Sequence, residues 1–381
     1  MKSLIYVGAD VHTTNYTISC YSIEDDYTFG TTQISPDYKV LLKFLKKIKE
    51  TRKDDVEFVV GYEAGCLGYT LQRQLEAAGV TCKILAPSTI PVAANARKTD
   101  RRDSENIARC LAYNSAKFIY VPTKDDEAVK DYVRMVEDMR SDLTKLKQRI
   151  NHYCIRQGMT YKDGSHWTKK HEKWLKDLDF GNALANETMQ EYLDEYNRRK
   201  DTIERYQKRI DEIAAMERYH EKVSRLTCIK GIDTYTALSL VAEVGDFNRF
   251  ASAGKFAAYL GLVPGESSSG DDINHLSISK AGKKHLRKLL TESGQSYRSM
   301  SSKKSKALKE RQEGNTPEVI HYADKAAERL TRKFHRMFYK KTMKWNICVT
   351  AVARELACFV WGMMTDHMAD RPVPGTVQRA A

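Results

Sequence analysis

No proline interrupts the chain between Pro122 and Pro264, although eight prolines occur in it. A proline inside a helix removes a backbone hydrogen bond and clashes with the preceding turn, so a long proline-free stretch is free to run as long helix. This divides the 381 residues into three segments, expected as domains at 1–123, 124–225 and 226–381. In the middle segment Val129, Tyr132, Val136, Met139, Leu143, Leu146, Ile150 and Tyr153 recur at alternating spacings of three and four. That is a heptad seam. Tyr192, Tyr196, Ile203, Tyr206, Ile210 and Ile213 form a second seam, interrupted by Arg199. The segment 157–186 between them reads as irregular. The two helices then either fold back on each other as an antiparallel pair or pair with a second copy of the chain, since a seam does not choose its partner.

The first segment has a different grammar. Residues 3–10 are an apolar run ending in Asp10, "NYTISCYSI" is β-branched and aromatic, and a third strand is expected near Thr31–Ile34. These three make an antiparallel meander. An amphipathic helix over 38–50, a second apolar run "VEFVVGYEAG" ending in Glu63, a helix over 69–78, the strand "TCKILA" and a helix starting near Asp100 follow. The order β-β-β-α-β-α-β-α is that of an α/β fold, a mixed sheet with helices packed on it.

The charge excess lies in the last segment. Residues 226–381 carry 25 Lys and Arg against 15 Asp and Glu, which is +10 of the chain's +13. Residues 280–311 alone hold 11 basic residues and two acids, a density that suits a polyanion better than a merely solvated face. Lys280, Lys283, Lys284, Arg287 and Lys288 are the candidate nucleic-acid contacts there. Ahead of them, "KGID" at 230–233 is a glycine turn before a helix, the arrangement in which helix-hairpin-helix elements hold a phosphate. "VPGESSSGDDINHLSISKAG" reads as a Ser- and Gly-rich surface loop.

Eight scattered cysteines form no C-x-x-C pair, so neither a disulfide framework nor a zinc site is expected, and a reducing, cytoplasmic setting fits. Asp10 comes too early for a secretory leader. The apolar "NICVTAVARELACFVWGMM" is broken by Arg354 and Glu355 and reads as a buried core helix.

The carboxylates carry the chemistry. Asp100 and Asp103 sit three apart among Arg97, Lys98, Arg101 and Arg102. The plain explanation is a capped helix whose acidic first turn complements its dipole. Yet Asp10 and Glu63 each end a strand of a kind that is commonly central and adjacent, and the helix carrying Asp100 and Asp103 can pack over the same sheet edge. Four carboxylates converging without histidine or cysteine suit a hard divalent ion, Mg²⁺ or Mn²⁺. Two such ions stabilise the attacking and leaving oxygens of a phosphodiester, while neighbouring arginines and lysines approach the backbone.

These pieces, "YVGADVHTTNY", "VVGYEAGCLGYTL", "RKTDRRDSENIARCL", "LTCIKGIDTYTALSLVAEVGDFNRF", "FAAYLGLVPGESSSG", "SISKAGKKHLRKLL" and "VARELACFVW", occur in one order along nearly the whole chain. In that order the chain resembles the DEDD transposases of bacterial insertion sequences, the insertion-sequence one-ten family, also called bridge-RNA-guided recombinases. The resemblance implies a RuvC-like, RNase H-like first domain, a helical coiled-coil segment and a mainly helical transposase domain. It assigns the metal tetrad to Asp10, Glu63, Asp100 and Asp103. It also implies a serine nucleophile followed by glycine, Ser269, with Ser267 and Ser268 as alternatives. DNA, a structured guide RNA and a homo-oligomer, dimer or tetramer, are the implied partners, and the cytoplasm at the nucleoid the implied location.

Three other readings compete. "VGADVHTTNYT" faintly resembles the phosphate loop of actin-like sugar kinases, but that chemistry needs a second glycine-rich loop and has no use for "DRRD". A non-catalytic nucleic-acid scaffold would not need four acids. A Holliday-junction-type endonuclease would hydrolyse with water and would not need the long last segment.

Overall fold

Along the first strand, β1 (Ser3–Val11), Ile5, Val7 and Ala9 alternate with Tyr6, Gly8 and Asp10, so the two sets face opposite sides of a sheet. The fold is taken from a computed structural model that describes residues 3–52, 55–91, 99–269, 272–299 and 304–368, without the side chains of 266–276. The chain forms two compact units, Met1–Val121 and Pro122–Ala381.

In the first unit, β1 is followed by β2 (Tyr16–Ser22), β3 (Tyr27–Ile34), α1 (Tyr38–Thr51), β4 (Val56–Glu63), α2 (Thr70–Ala77), β5 (Thr81–Leu85) and α3 (Asp100–Ala112). The sheet order is β3-β2-β1-β4-β5. β1 to β3 form the antiparallel meander, while β4 runs parallel to β1 and β5 parallel to β4. β3 starts earlier than the expected Thr31. Gly30 adopts φ +65, and the register shifts between Ile18 and Cys20, so an irregularity carries the strand through the glycine.

The two faces are covered differently. Ile5, Val7 and Ala9, with Val60 and Tyr62, pack against Leu41 and Leu45 of α1 and Leu71 and Leu75 of α2. On the other face, Ile107, Cys110 and Leu111 of α3 pack with Leu85, Tyr6 and Val59. α3 lies very close to the sheet because two glycines stand beneath it. A Cβ at Gly8 would collide with the Ser104 carbonyl oxygen and the Ala108 amide, and one at Gly61 would come within 2.7 Å of the Leu111 side chain. The Ser19 and Ser104 hydroxyls, 2.7 Å apart, satisfy each other inside this contact.

The second unit is α4 (Lys124–Arg156), α5 (Lys169–Lys176), α6 (Ala183–Ala214), α7 (Glu217–Thr227), α8 (Thr234–Val244), α9 (Ala253–Tyr259), a hairpin of β6 (Pro264–Ser269) and β7 (Asp272–Ile278), then α10 (Lys284–Gly294), α11 (Lys306–Gln312), α12 (Pro317–His335) and α13 (Trp345–Met364). At 33 residues α4 is about 50 Å long. The two seams meet within one chain: Tyr132 packs edge-on to Tyr206, and Arg140 donates to Gln207. The stretch expected to be irregular between them contains α5. Leu175 of α5 joins Leu146, Ile150, Met189, Leu193 and Tyr196 in a separate small core, where His171 is buried with its Nδ1 accepting from the Trp167 amide.

At the other end of the pair, Val133, Val136, Ile210 and Ile213 share one core with Leu238, Leu290 and Leu356. The segments 124–225 and 226–381 therefore have a common interior. α13 is the one helix among the described residues long and apolar enough to cross a membrane, and most of it is buried in that core. Its Glu355 pairs with Arg329 and Lys333 of α12. The Ser- and Gly-rich stretch is a two-stranded hairpin rather than a loop, since β6 and β7 pair from Pro264↔Ile278 to Ser269↔Asp272.

Candidate metal centre and nucleic-acid contacts

Strand parity decides where the acids point. Asp10 lies on the Gly8 face of β1, and Glu63 on the Gly61 face of β4. The last paired residues of the two strands are Ala9↔Tyr62, so Asp10 and Glu63 are the next residues on neighbouring parallel strands. Both belong to the face that α3 covers.

α3 begins above the same end of β1. Its N-cap is Thr99, whose side chain accepts from the Arg102 amide, so the cap belongs to the threonine. Asp100 and Asp103 occupy the first turn beyond it. Because Gly8 seats Ser104 and Ala108 on the strand, the preceding turn reaches Asp10.

Asp10, Asp100 and His12 offer ligand atoms that all lie within 4.8 Å of one another. Opposed ligands of an Mg²⁺ ion stand about 4.2 Å apart, so this separation fits a small divalent ion. The Asp10 carboxyl is pushed above its usual range, by burial first. His12, at 3.3 Å, works against that rise, and the charges of Asp100 and Asp103 add to it. Like charge gathered beside a partly buried carboxylate is the arrangement a dication relieves. Glu63 is exposed at the adjacent strand end and is not one of the three grouped residues.

His12 stands beside Asp10 and Asp100, a neighbour that the reading of four carboxylates did not include. It follows Asp10 by two, just past the end of β1 at Val11, and that nearness in sequence was the available signal. An imidazole beside carboxylates suits transition ions better than Mg²⁺ alone.

The expected cations are differently placed. Arg97 and Lys98 lie outside the described residues. Arg101 is exposed and pairs with Glu105 at 2.9 Å, and Arg102 is exposed. In the second unit Lys280 is exposed, at φ +54, in a turn packed against Gly261. Gly282 makes that packing close, because a Cβ there would collide with the Tyr259 carbonyl. The "YLGL" and "SKAG" stretches thereby lock the base of the β6–β7 hairpin.

Along α10, Arg287 donates to the Leu260 carbonyl at 2.9 Å, and Lys288 pairs with Glu137 and Glu292. Burial lowers the Lys283 pKa, a fall that Glu243 partly offsets. Glu243 is fully buried. It accepts two hydrogen bonds from Arg134, at 2.8 and 2.9 Å, and lies 3.1 Å from His285. Burial acts to raise its pKa, but His285 and Arg134 outweigh it and bring it down to about 2. Only Lys284 of the four expected helix contacts is both exposed and without such a tie among those described.

The "KGID" turn joins α7 to α8. Gly231 adopts φ +88 and packs on Ser293 and Ser296, while Asp233 caps α8 by accepting from the Thr236 amide. Ser267, Ser268 and Ser269 lie on β6, with Ser269 as its last residue, and their side chains lie outside the described residues.

A mixed five-stranded sheet of this order, with acids gathered at the end of its first strand, is consistent with a RuvC-like DEDD domain. Comparison with known proteins makes the assignment. Residues 7–154 match the model of the DEDD transposases of the IS110 group, and residues 223–310 match that of the IS116/IS110/IS902 transposase family. The chain is 32% identical over 351 residues to the transposase for insertion sequence element IS1533 of Leptospira borgpetersenii, covering 90% of this chain and 99% of that one. It is 34% identical over 303 residues to the putative transposase y4qE of Sinorhizobium fredii, covering 79% and 74%. The chain belongs to the IS110 family of DEDD transposases, enzymes that cut and rejoin DNA.

Proposed function

We propose that this transposase cuts and rejoins DNA strands for movement of an insertion sequence, with Asp10, Glu63, Asp100 and Asp103 as the metal tetrad and Ser269 as the nucleophile. The observation that supports it most is the approach of Asp100 to Asp10 and His12 over Gly8. Mg²⁺ or Mn²⁺ held there supplies Lewis-acid stabilisation of a phosphodiester oxygen. Asp10 and Asp100 bind and orient the ion, Asp103 adds to the field at Asp10, and Arg101 and Arg102 stand exposed in the same helical turn to contact the phosphate backbone.

In the covalent step the Ser269 Oγ bonds to phosphorus and the bond from phosphorus to the leaving deoxyribose oxygen breaks. That oxygen takes up the proton the hydroxyl loses. The protein–DNA bond conserves the phosphodiester for rejoining, so no nucleotide cofactor is required. The serine comes from a second copy of the chain in the oligomer, and a structured guide RNA selects the target by base pairing, as the family resemblance implies. The three segments serve this division of labour: 1–123 for the metal chemistry, 124–225 as helical support and 226–381 for the serine and nucleic-acid contacts.

The experiment is a cleavage reaction on an interrupted DNA substrate, resolved on a denaturing gel. The expected product is DNA joined to protein, absent from Ser269→Ala while DNA binding persists. The same adduct from Ser269→Ala would move the role to Ser267 or Ser268. Cut DNA with a free end and no adduct from the unmodified protein would replace the serine mechanism with hydrolysis of the junction-endonuclease kind.

A further inference from the structure

The second unit contains a groove of about 1650 Å³ that the serine and tetrad chemistry does not use. It is larger than the ~300–1,000 Å³ of small-molecule pockets. α11, α12 and the turn Arg336–Lys340 contribute to its walls, and the 230–231 turn closes one side.

Its charge is one-sided. Among the described residues, seven Lys and Arg line it against two acids, Asp324 and Glu328. Both acids are already engaged, Asp324 with Lys304 at 2.7 Å and Glu328 with Arg332. Lys230, Arg298, Arg311, Arg336 and Lys340 therefore face the groove with no further acid among the described residues of its lining. The buried Arg311 Nε has no hydrogen-bond partner among the described residues. Such a surface is complementary to a chain of phosphates.

Aromatic rings supply the second feature. α12 ends in a π-helical turn, Arg336–Lys340, a distortion that often marks functional sites. This turn carries Tyr339, which is 63% exposed and stacks on His335 with ring centroids 5.0 Å apart and planes 16° from parallel. An exposed tyrosine ring backed by a second ring offers a face to an unpaired base, and Arg336 and Lys340 stand on either side of it in sequence to take the flanking phosphates. A base inside a duplex has both faces covered by its stacked neighbours, so the platform selects single strands.

We infer that this groove binds a single-stranded segment of nucleic acid, with one base stacked on Tyr339 and its phosphates on Arg336, Lys340, Arg298, Lys230 and Arg311. The inference rests on the reading of the chain as an enzyme of nucleic acids and adds a strand-binding surface to it, separate from the cutting chemistry. A guide RNA and a displaced DNA strand share this chemistry.

The test uses the full chain and fluorescence anisotropy with three labelled probes: a short unstructured RNA, DNA of the same sequence and the corresponding DNA duplex. Tyr339→Ala should weaken single-strand binding about tenfold, the usual scale for losing one base stack, and leave duplex binding unchanged. Tyr339→Phe should restore it. Arg336→Gln with Lys340→Gln should reduce the slope of log affinity against log salt by about 1.4, from two lost contacts at ~0.7 each. A loss confined to RNA assigns the groove to RNA, a loss confined to DNA assigns it to a displaced strand, and equal losses support strand binding in general. Single-strand binding by both variants with the affinity and salt slope of the unmodified protein overturns the inference, and so does an equal loss on the duplex. Asp100→Asn in the cutting reaction tests the tetrad separately, so either reading can fail while the other stands.

Discussion

Asp10 and Glu243 are both carboxylates held by packed secondary structure, yet their surroundings are opposite. The Asp10 pKa is raised, by burial first; among the described residues His12 works against that rise, and the charges of Asp100 and Asp103 add to it. Glu243 is more deeply buried but lies among Arg134, His285 and Lys283, and its pKa falls to about 2. The first site gathers Asp10 and Asp100 with His12 beside them among the described residues, a group that could hold a metal ion. The second is neutralised from within. Burial sets the direction of the shift at Asp10 and is outweighed by paired cations at Glu243, so burial alone does not say which way a carboxyl moves.

The strongest way to break this contrast is to remove one acid from each site. Asp100→Asn should reduce metal-dependent strand cutting by about 100-fold or more, since a lost ligand disturbs the ion's position. It should not lower the melting temperature of the metal-free protein, because it removes repulsion from Asp10. Mn²⁺ should raise the melting temperature of the unmodified chain by mass action and that of Asp100→Asn much less. Equal cutting by the two proteins would return Asp100 to the role of a first-turn acid that merely complements the helix dipole.

Glu243→Gln should do the reverse, costing about 3 kcal/mol in the second unit by leaving Arg134 without its carboxylate. A carboxyl whose pKa drops on folding from its ordinary 4.5 to about 2 contributes stability above pH 4.5 that is lost as pH falls towards 2. At about 1.4 kcal/mol per pH unit this amounts to ~3 kcal/mol. Unfolding by denaturant, followed by the circular dichroism of the helices at pH 6 and at about pH 3, should show the unmodified chain weakening with acid and Glu243→Gln weakening less. An identical acid response in both would show that Glu243 is not the group responsible.

Much of the first unit was legible before any coordinates. Apolar runs over 3–10 and 56–63 mark strands that end in acids, and the acidic first turn of Asp100 and Asp103 marks the start of α3. Periodicity does not show, however, that Gly8 and Gly61 lie under α3. That contact is long-range, and it is what carries Asp100 to Asp10. Composition likewise counts Lys283, Arg287 and Lys288 as available, whereas Glu243, the Leu260 carbonyl and Glu137, which they face, lie on other helices or turns. The serine stretch was misread as a loop because Ser and Gly are turn formers, although β6 and β7 supply one another with backbone partners.

Gly8→Ala sharpens the comparison from the side of the scaffold. Its methyl group would meet backbone atoms of Ser104 and Ala108, which cannot rotate away, so α3 must shift outward. The expected cost is about 1–3 kcal/mol of stability in the first unit, as for overpacked cores. Cutting should fall more than this loss predicts, because the shift also moves Asp100 and Asp103 away from Asp10. Unchanged cutting with lowered stability would mean that the tetrad tolerates displacement of α3.

The smallest effect tests whether the contrast extends to the cations. Lys284 is exposed on α10, whereas Lys288, four residues on, pairs with Glu137 and Glu292. If matched charges serve the fold and unmatched ones the ligand, Lys284→Gln should lower the slope of log affinity for duplex DNA against log salt by about 0.9, the value for one lost phosphate contact. Lys288→Gln should leave that slope alone and instead cost about 0.5 kcal/mol of stability, since the pair is partly exposed and screened by solvent. Measuring both variants across the same salt series separates the two roles, because a phosphate contact changes the slope while a structural ion pair changes unfolding. An equal fall in slope for both lysines would show that Lys288 exchanges Glu137 for phosphate when DNA binds, and that a cation matched within the protein can still serve the ligand.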